Sequence, residues 1–190
     1  FPFGVGKAVQ YGAGIKANAV YMNCYQMVPL ARIKDHFNDQ LSLPVSEGSI
    51  YNFSLQAYEL LKPFERWVAD KLQNSTILHA DETGINENGH TKWLHVLSNL
   101  DYTLLHVDDK RGTEAMNRMN ILPYYSGVLC HDHWKPYFKY SCIHSLCNAH
   151  HLRELTFAEE VDKQTWAGEL RELLKSVNSE VLDHNCGVRR

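Results

Sequence analysis

Apolar residues recur at helical spacing through the first third of the chain and then change period. Ile15 to Met22 is a short apolar run. Pro29 is placed for a helix start, and Leu30, Ile33 and Phe37 follow three or four residues apart. Leu41-Ser42-Leu43-Pro44 breaks that pattern. Ser46 then offers an N-cap to a longer helix that carries Ile50, Phe53, Ala57, Leu60, Leu61 and Phe64 on one face. Pro63 predicts a kink or a restart, after which Trp67, Val68 and Leu72 continue the stripe.

From Ser75 the pattern reads as extended. Thr76-Ile77-Leu78-His79-Ala80-Asp81 is an apolar run that ends in an acid, and Asn86-Glu87-Asn88-Gly89 has turn chemistry. Trp93 to Ser98 alternates, and Asn99-Leu100-Asp101 makes a tight connection to Tyr102 to Val107. Three strands joined by short loops predict an antiparallel meander. Gly112 to Asn120 reads as a helix with Ala115, Met116 and Met119 on its apolar side. Gly127 to Asp132 is a further strand that also ends in an acid, and Cys142 to Cys147 offers a fifth. His150 to about Asp183 is helical again, with Leu152, Leu155, Trp166, Leu170, Leu173, Leu174 and Val177 as expected core residues.

This order predicts an α/β fold. A helical crossover after the meander brings the fourth strand in parallel to an earlier one. If it lies beside the first strand, Asp81 and Asp132 meet at the carboxyl ends of adjacent parallel strands, where open α/β sheets favour ligand sites. That is a ribonuclease H-like mixed sheet. The expected divisions are a mainly helical region over 1–73, the sheet over 74–150 and a helical region over 151–190.

Composition narrows the class. A chain of 190 residues with 44% hydrophobic and 22% charged positions has the makings of an ordinary globular core. No stretch reads as a signal peptide and no apolar run approaches the roughly 20 residues needed to cross a bilayer, so a cytoplasmic protein without membrane contact is expected. Five scattered cysteines, Cys24, Cys130, Cys142, Cys147 and Cys186, do not read as a disulfide framework. The formal net charge of −3 makes no global case for nucleic-acid binding, so such a role rests on local chemistry. The Phe1-Pro2-Phe3 start and the Val188-Arg189-Arg190 end suit a piece of a longer protein.

Two carboxylates at the rim of a core repel unless a cation or a shared proton intervenes. Asp81 and Asp132 therefore read either as divalent-metal ligands or as ordinary strand-end residues capping their loops. Glu82 falls on the opposite face of the strand from Asp81, whereas His79 shares its face. His131 and His133 flank Asp132. Cys142, His144, Cys147, His150 and His151 contain one C-x2-H spacing but no second pair that completes a standard zinc finger, so zinc and buried thiols both stay open. Lys110, Arg111, Lys135, Lys139 and Arg153, interleaved with Trp134, Tyr137, Phe138 and Tyr140, suit either a nucleic-acid backbone groove or a solvated loop. Arg32 to Gln40 and Ser46 to Ala57 resemble a helix-turn-helix, but the second helix is not basic.

The text around the aspartates resembles the transposases of the insertion sequence sixty-six family. The matching stretches are Tyr11-Gly12 with Lys16-Ala17, Leu78 to Gly84, Trp93 to Val96, Arg111 to Ala115, Gly127 to Trp134 and Cys147 to Leu155, in order across nearly the whole chain. The resemblance implies a ribonuclease H-like domain with an Asp-Asp-Glu triad, Mg²⁺ or Mn²⁺ as cofactor, and cutting and joining of the element's own DNA. Asp81 matches the first acid and Asp132 the second. The third is expected after a helical insertion and beyond Arg190, which would leave this chain inactive alone. The resemblance thus implies that 74–150 is a partial catalytic core and 151–190 the start of that helical insertion. His150 and Arg153 match motif residues near the site. His79, His131 and His133 read either as supporting residues, orienting a metal-bound water or contacting a phosphate, or as packed or solvent-facing histidines. DNA, further copies of the chain assembled on it, and other element-encoded proteins are the implied partners. The alternatives are a hydrolase with a zinc site centred on Cys147 and His150, and a non-catalytic DNA-binding or dimerisation module.

Overall fold

Pro29 is extended (φ −59°, ψ 144°) and sets its own carbonyl to accept the first helical bond, from the N–H of Ile33 at 3.1 Å. This is how the chain turns into a helix in the computed structural model, which describes residues 6 and 10–188. The end residues Phe1-Pro2-Phe3 and Arg189-Arg190, and the side chain of Cys186, lie outside that description. The chain divides into two compact units, Phe1–Trp67 and Val68–Arg190.

In the first unit, α1 (Ala13–Val20) passes into a π turn at Tyr21–Tyr25 and is followed by α2 (Leu30–Leu41) and by α3 (Glu47–Gln73), whose residues from Val68 on belong to the second unit. Ser42 takes the left-handed conformation (φ 50°) that ends α2, so that its own N–H and that of Leu43 bond back to Asn38 and Phe37. Ser46 caps α3 as expected: its Oγ accepts the N–H of Ser49 at 3.1 Å. Ala19, Ile33, Phe37, Val45, Ile50 and Phe53 form the core of this unit. Two expectations are narrowed. Of the kink or restart expected at Pro63, the restart does not occur, since α3 is one helix of 27 residues. The apolar stripe is also shorter than predicted, because Leu60, Leu61 and Phe64 are exposed.

The second unit holds a sheet. Its strands are β1 (Ile77–Glu87), β2 (His90–Ser98), β3 (Thr103–Asp108), β4 (Val128–His131) and β5 (Ile143–Leu146), in the order β3-β2-β1-β4-β5. Asn88 and Gly89 both have positive φ (52° and 84°), the pairing that a two-residue hairpin between right-twisted strands needs. β1 and β2 pair antiparallel from His79↔Ser98 to Glu87↔His90, and β3 extends the meander on β2. The chain then crosses over through α4 (Thr113–Arg118) and a 3-10 turn at Leu122–Tyr124. It returns as β4, parallel to β1 at Ile77↔Val128, Leu78↔Leu129 and His79↔Cys130, with β5 parallel to β4. This is the ribonuclease H-like mixed sheet that the order of periods predicts.

One face of the sheet is the core. Leu78, Ala80, Leu97 and Leu129 pack there with Met116, Ile121, Leu122, Tyr125, Tyr137 and Tyr140, joined by Val68 and Leu72 from the end of α3. Each fully buried leucine of this set is worth about 2 kcal/mol. Strand alternation puts Ile77, His79 and Asp81 on the other face.

The C-terminal region is two helices rather than one: α5 (Asn148–Glu160) and α6 (Thr165–Val188), separated at Lys163 (φ 56°). Trp166, Leu170, Leu173 and Val177, expected in the core, are exposed, while Leu155 and Ala167 are buried. α6 meets α5 on a small-residue side, at buried Ala167 and at Gly168, where a Cβ would lie against the Glu159 carboxylate, and its bulky residues lie outside that contact. No helix among the described residues is long and apolar enough to cross a membrane.

Candidate active site

β1 and β4 each deliver an aspartate to one cleft of about 170 Å³, lined by His79, Ala80, Asp81, Val96, Ser98, Cys130, Asp132, Cys147 and His150. The parallel register is what does this. Pairing His79 with Cys130 carries both chains outward in step, so the acids that end the two apolar runs emerge at the same rim. Cys147 precedes the first turn of α5, which sets His150 within that turn.

Each carboxylate has a local partner. One oxygen of Asp81 accepts the N–H of Glu82 at 2.9 Å, and one oxygen of Asp132 accepts the N–H of Trp134 at 2.9 Å. Among the described residues neither aspartate forms an ion pair. In the same cleft, Nδ1 of His150 is buried without a hydrogen-bond partner. Two carboxylates with no counter-cation in one cleft supply oxygen donors of the kind a divalent ion takes. Mg²⁺ in particular binds through one or two carboxylates and keeps much of its water.

The neighbouring acid has the opposite environment. Glu82 lies on the core face, and its side chain is 1% exposed. Arg111 donates Nε and Nη2 to Oε1 of Glu82 at 3.0 and 2.8 Å, and the Tyr137 hydroxyl donates to Oε2. The guanidinium lies over the rings of Trp134 (4.3 Å) and Trp93 (4.9 Å). Burial first, and then the Glu82 carboxylate, hold the Tyr137 phenol far above its ordinary range. Burial alone raises the Tyr140 phenol to about 12.

The other residues singled out in the sequence have varied fates. His79 and His150 line the cleft with the aspartates. His131 does not join them: it is buried on the core face, with Nε2 2.9 Å from Nδ1 of His144 and its ring against Tyr137 and Phe138. Burial lowers its pKa. His133 turns to Glu154, 3.3 Å away. Lys135, Lys139 and Arg153 are exposed. Arg111 is engaged by Glu82 and two tryptophans. Lys110 lines a groove with Lys92 and Arg118 and with Glu87, Asp108, Asp109 and Glu114, where the acids outnumber the bases and leave little net positive charge for a phosphate. Of the interleaved aromatic residues, Tyr137 and Tyr140 are buried, their hydroxyls bonded to Glu82 and Asn117. Phe138 is half exposed.

The cysteine-histidine cluster does not converge. Cys142 and His144 differ by two residues at β5 and share a face, while Cys147 has the opposite parity and lies in the cleft. His150 and His151 are successive on α5, about 100° apart, so they serve different neighbours.

Two arrangements escaped sequence reading. The Asp108–Arg118 pair joins the end of β3 to α4, with Nε and Nη2 at 2.6 and 2.5 Å from the carboxylate, and nothing in the local text announces it. The grouping of His133, His151 and Glu154 was half legible, since His151 and Glu154 are one helical turn apart.

Comparison with known proteins gives one family. A family model described as Transposase IS66 family matches residues 8–182. No curated protein matches the chain. Among solved structures, the chain is similar to the HTLV-2 integrase catalytic core domain in complex with magnesium, in trimeric and dimeric forms. Each shows 12% identity and a TM-score of 0.31, over 50% of this chain and 80% of that one. It is also similar to the simian T-cell lymphotropic virus intasome in complex with PP2A regulatory subunit B56 gamma. There identity is 9% and the TM-score 0.31, over 75% of this chain and 62% of that one.

Proposed function

The chain belongs to the IS66 family of transposases, and from that membership we propose that the cleft of Asp81 and Asp132 is two-thirds of a metal-dependent phosphodiester site. Its work is cleavage of element DNA followed by strand transfer, in which a DNA 3′-hydroxyl attacks the target in line. The observation that carries this reading is the parallel pairing of β1 with β4, which puts both uncompensated carboxylates in one cleft.

Asp81 and Asp132 hold Mg²⁺, for which Mn²⁺ substitutes, by their carboxylate oxygens. When bound, divalent ions there neutralise charge on the attacking and leaving oxygens of the displacement. His150 and His79 border the same space and orient a water or a phosphate oxygen there. Lys135, Lys139 and Arg153 contact DNA phosphates from the exposed surface. Lys110 and Arg111 are left out of that set because of the acidic groove and the Glu82 pairing described above. The third acid of the triad comes from outside the residues that line this cleft. Two carboxylates alone hold the ion weakly. The working assembly joins several copies on DNA, with other element-encoded proteins.

Titrating Mg²⁺ or Mn²⁺ into the wild type, Asp81→Asn and Asp132→Ala tests the local claim by calorimetry or, for Mn²⁺, by paramagnetic relaxation. Affinity is expected to fall about tenfold or more in either variant. Equal affinity in the wild type and Asp132→Ala would remove Asp132 from the site.

A further inference from the structure

A second group of metal-ligating side chains lies outside the aspartate cleft. His133, His151 and Glu154 each bring one ligand atom to within 4.8 Å of the others. Nδ1 of His133 is 3.3 Å from Oε1 of Glu154, and the rings of His133 and His151 are 4.9 Å apart at 60°. We infer that these three residues form a separate site for a borderline transition ion of the zinc class.

The backbone prearranges the set. His151 and Glu154 stand one turn apart on α5, so their side chains share a helix face. His133 follows β4 in a turn fixed by the bond from the Trp134 N–H to Asp132. In a tetrahedral site with ligand bonds of about 2.0–2.2 Å, ligand atoms lie roughly 3.3–3.5 Å apart. One pair already has that separation. The rest need to close by about 1.5 Å at most, a movement that side-chain rotation covers because His133 and Glu154 are exposed.

Donor chemistry selects the ion. Two imidazole nitrogens and one carboxylate suit Zn²⁺, Co²⁺ or Ni²⁺, whereas Mg²⁺ prefers oxygen throughout. Three protein ligands leave a fourth position to solvent, as in open zinc sites. An ordinary ion pair between His133 and Glu154 has no need of His151, yet the His151 ring is held against that of His133. The site takes no ligand from the aspartate cleft, so it stands or falls independently of the proposed phosphodiester chemistry.

The test is calorimetric titration of ZnCl₂ into the chelator-treated chain in excess Mg²⁺, with Co²⁺ as a visible-absorption probe. One equivalent is expected to bind, with affinity about 10–100-fold weaker in His133→Ala, His151→Ala and Glu154→Gln. Unchanged zinc affinity in Asp81→Asn and Cys147→Ser is expected. Equal affinity in the wild type and Glu154→Gln overturns the proposal, as does loss of binding in Cys147→Ser or Asp81→Asn alone. Far-UV circular dichroism monitors folding. Should His151→Ala fail to fold, the near-isosteric change at exposed Glu154 carries the same comparison.

Discussion

Asp81 and Glu82 are adjacent in sequence and differ in every physical respect that matters. A strand's two-residue period sends one carboxylate to an open cleft and the other into the core beside Arg111 and Tyr137. Glu82→Gln is expected to cost roughly 2–3 kcal/mol in urea unfolding, because it leaves a half-buried guanidinium without its charged acceptor. Asp81→Asn is expected to change stability by no more than about 0.5 kcal/mol. Similar losses in the two variants would refute the assignment of faces. The parity of the two acids was legible in the sequence. The partners of Glu82 were not, because Arg111 and Tyr137 are distant along the chain and meet it only when the sheet forms. Asp108 makes a pH prediction. Arg118 and the N–H of Lys110 hold its carboxyl below the ordinary value of 3.8. The unfolded chain therefore takes up that proton at a higher pH than the folded one. The stabilisation is complete above about pH 5 and is lost as pH falls through the unfolded and then the folded value. Asp108→Asn should remove that part of the acid limb from a plot of Tm against pH. A limb of unchanged steepness would count against the pair.

At the level of elements, the junction of β1 and β4 is tightly built. A Cβ at Gly127 would lie 2.7 Å from the backbone oxygen of Thr76 and collide with the Tyr125 hydroxyl, which itself bonds to Thr76 and Val128. Gly127→Ala is expected to destabilise the protein by about 1–3 kcal/mol. In α1, Gly14→Ala meets open space and should stabilise slightly, by roughly 0.5–1 kcal/mol. Paired urea titrations check both signs. The meander, the crossover and the Ser46 cap were readable, because alternation, turn residues and capping act over a few neighbours. The break at Lys163 and the outward stripe of α6 were not. Both belong to the packing of α6 on α5, where residues such as Gly168 and Glu159 meet in space rather than as sequence neighbours.

For the molecule as a whole, the net charge of −3 limits how the proposed DNA contact works. With only Lys135, Lys139 and Arg153 on phosphates, the plot of log affinity against log salt should have a slope of about −3 on duplex DNA. Lys139→Ala should reduce that slope by about one. A slope near zero, measured by fluorescence anisotropy over a salt series, would leave no role for these cations.

The register of β1 on β4 has a consequence in time. The hairpin partners of β1 close over a two-residue turn and nine paired positions, whereas β4 joins it over three, from about fifty residues downstream. Closing so long a loop loses chain entropy before its few contacts repay it, so this pairing forms late in folding. The two aspartates therefore remain apart while the meander forms, and the cleft they share is completed only with this late pairing. Refolding followed by the meander's hydrogen-exchange protection should run ahead of refolding followed by divalent-ion binding.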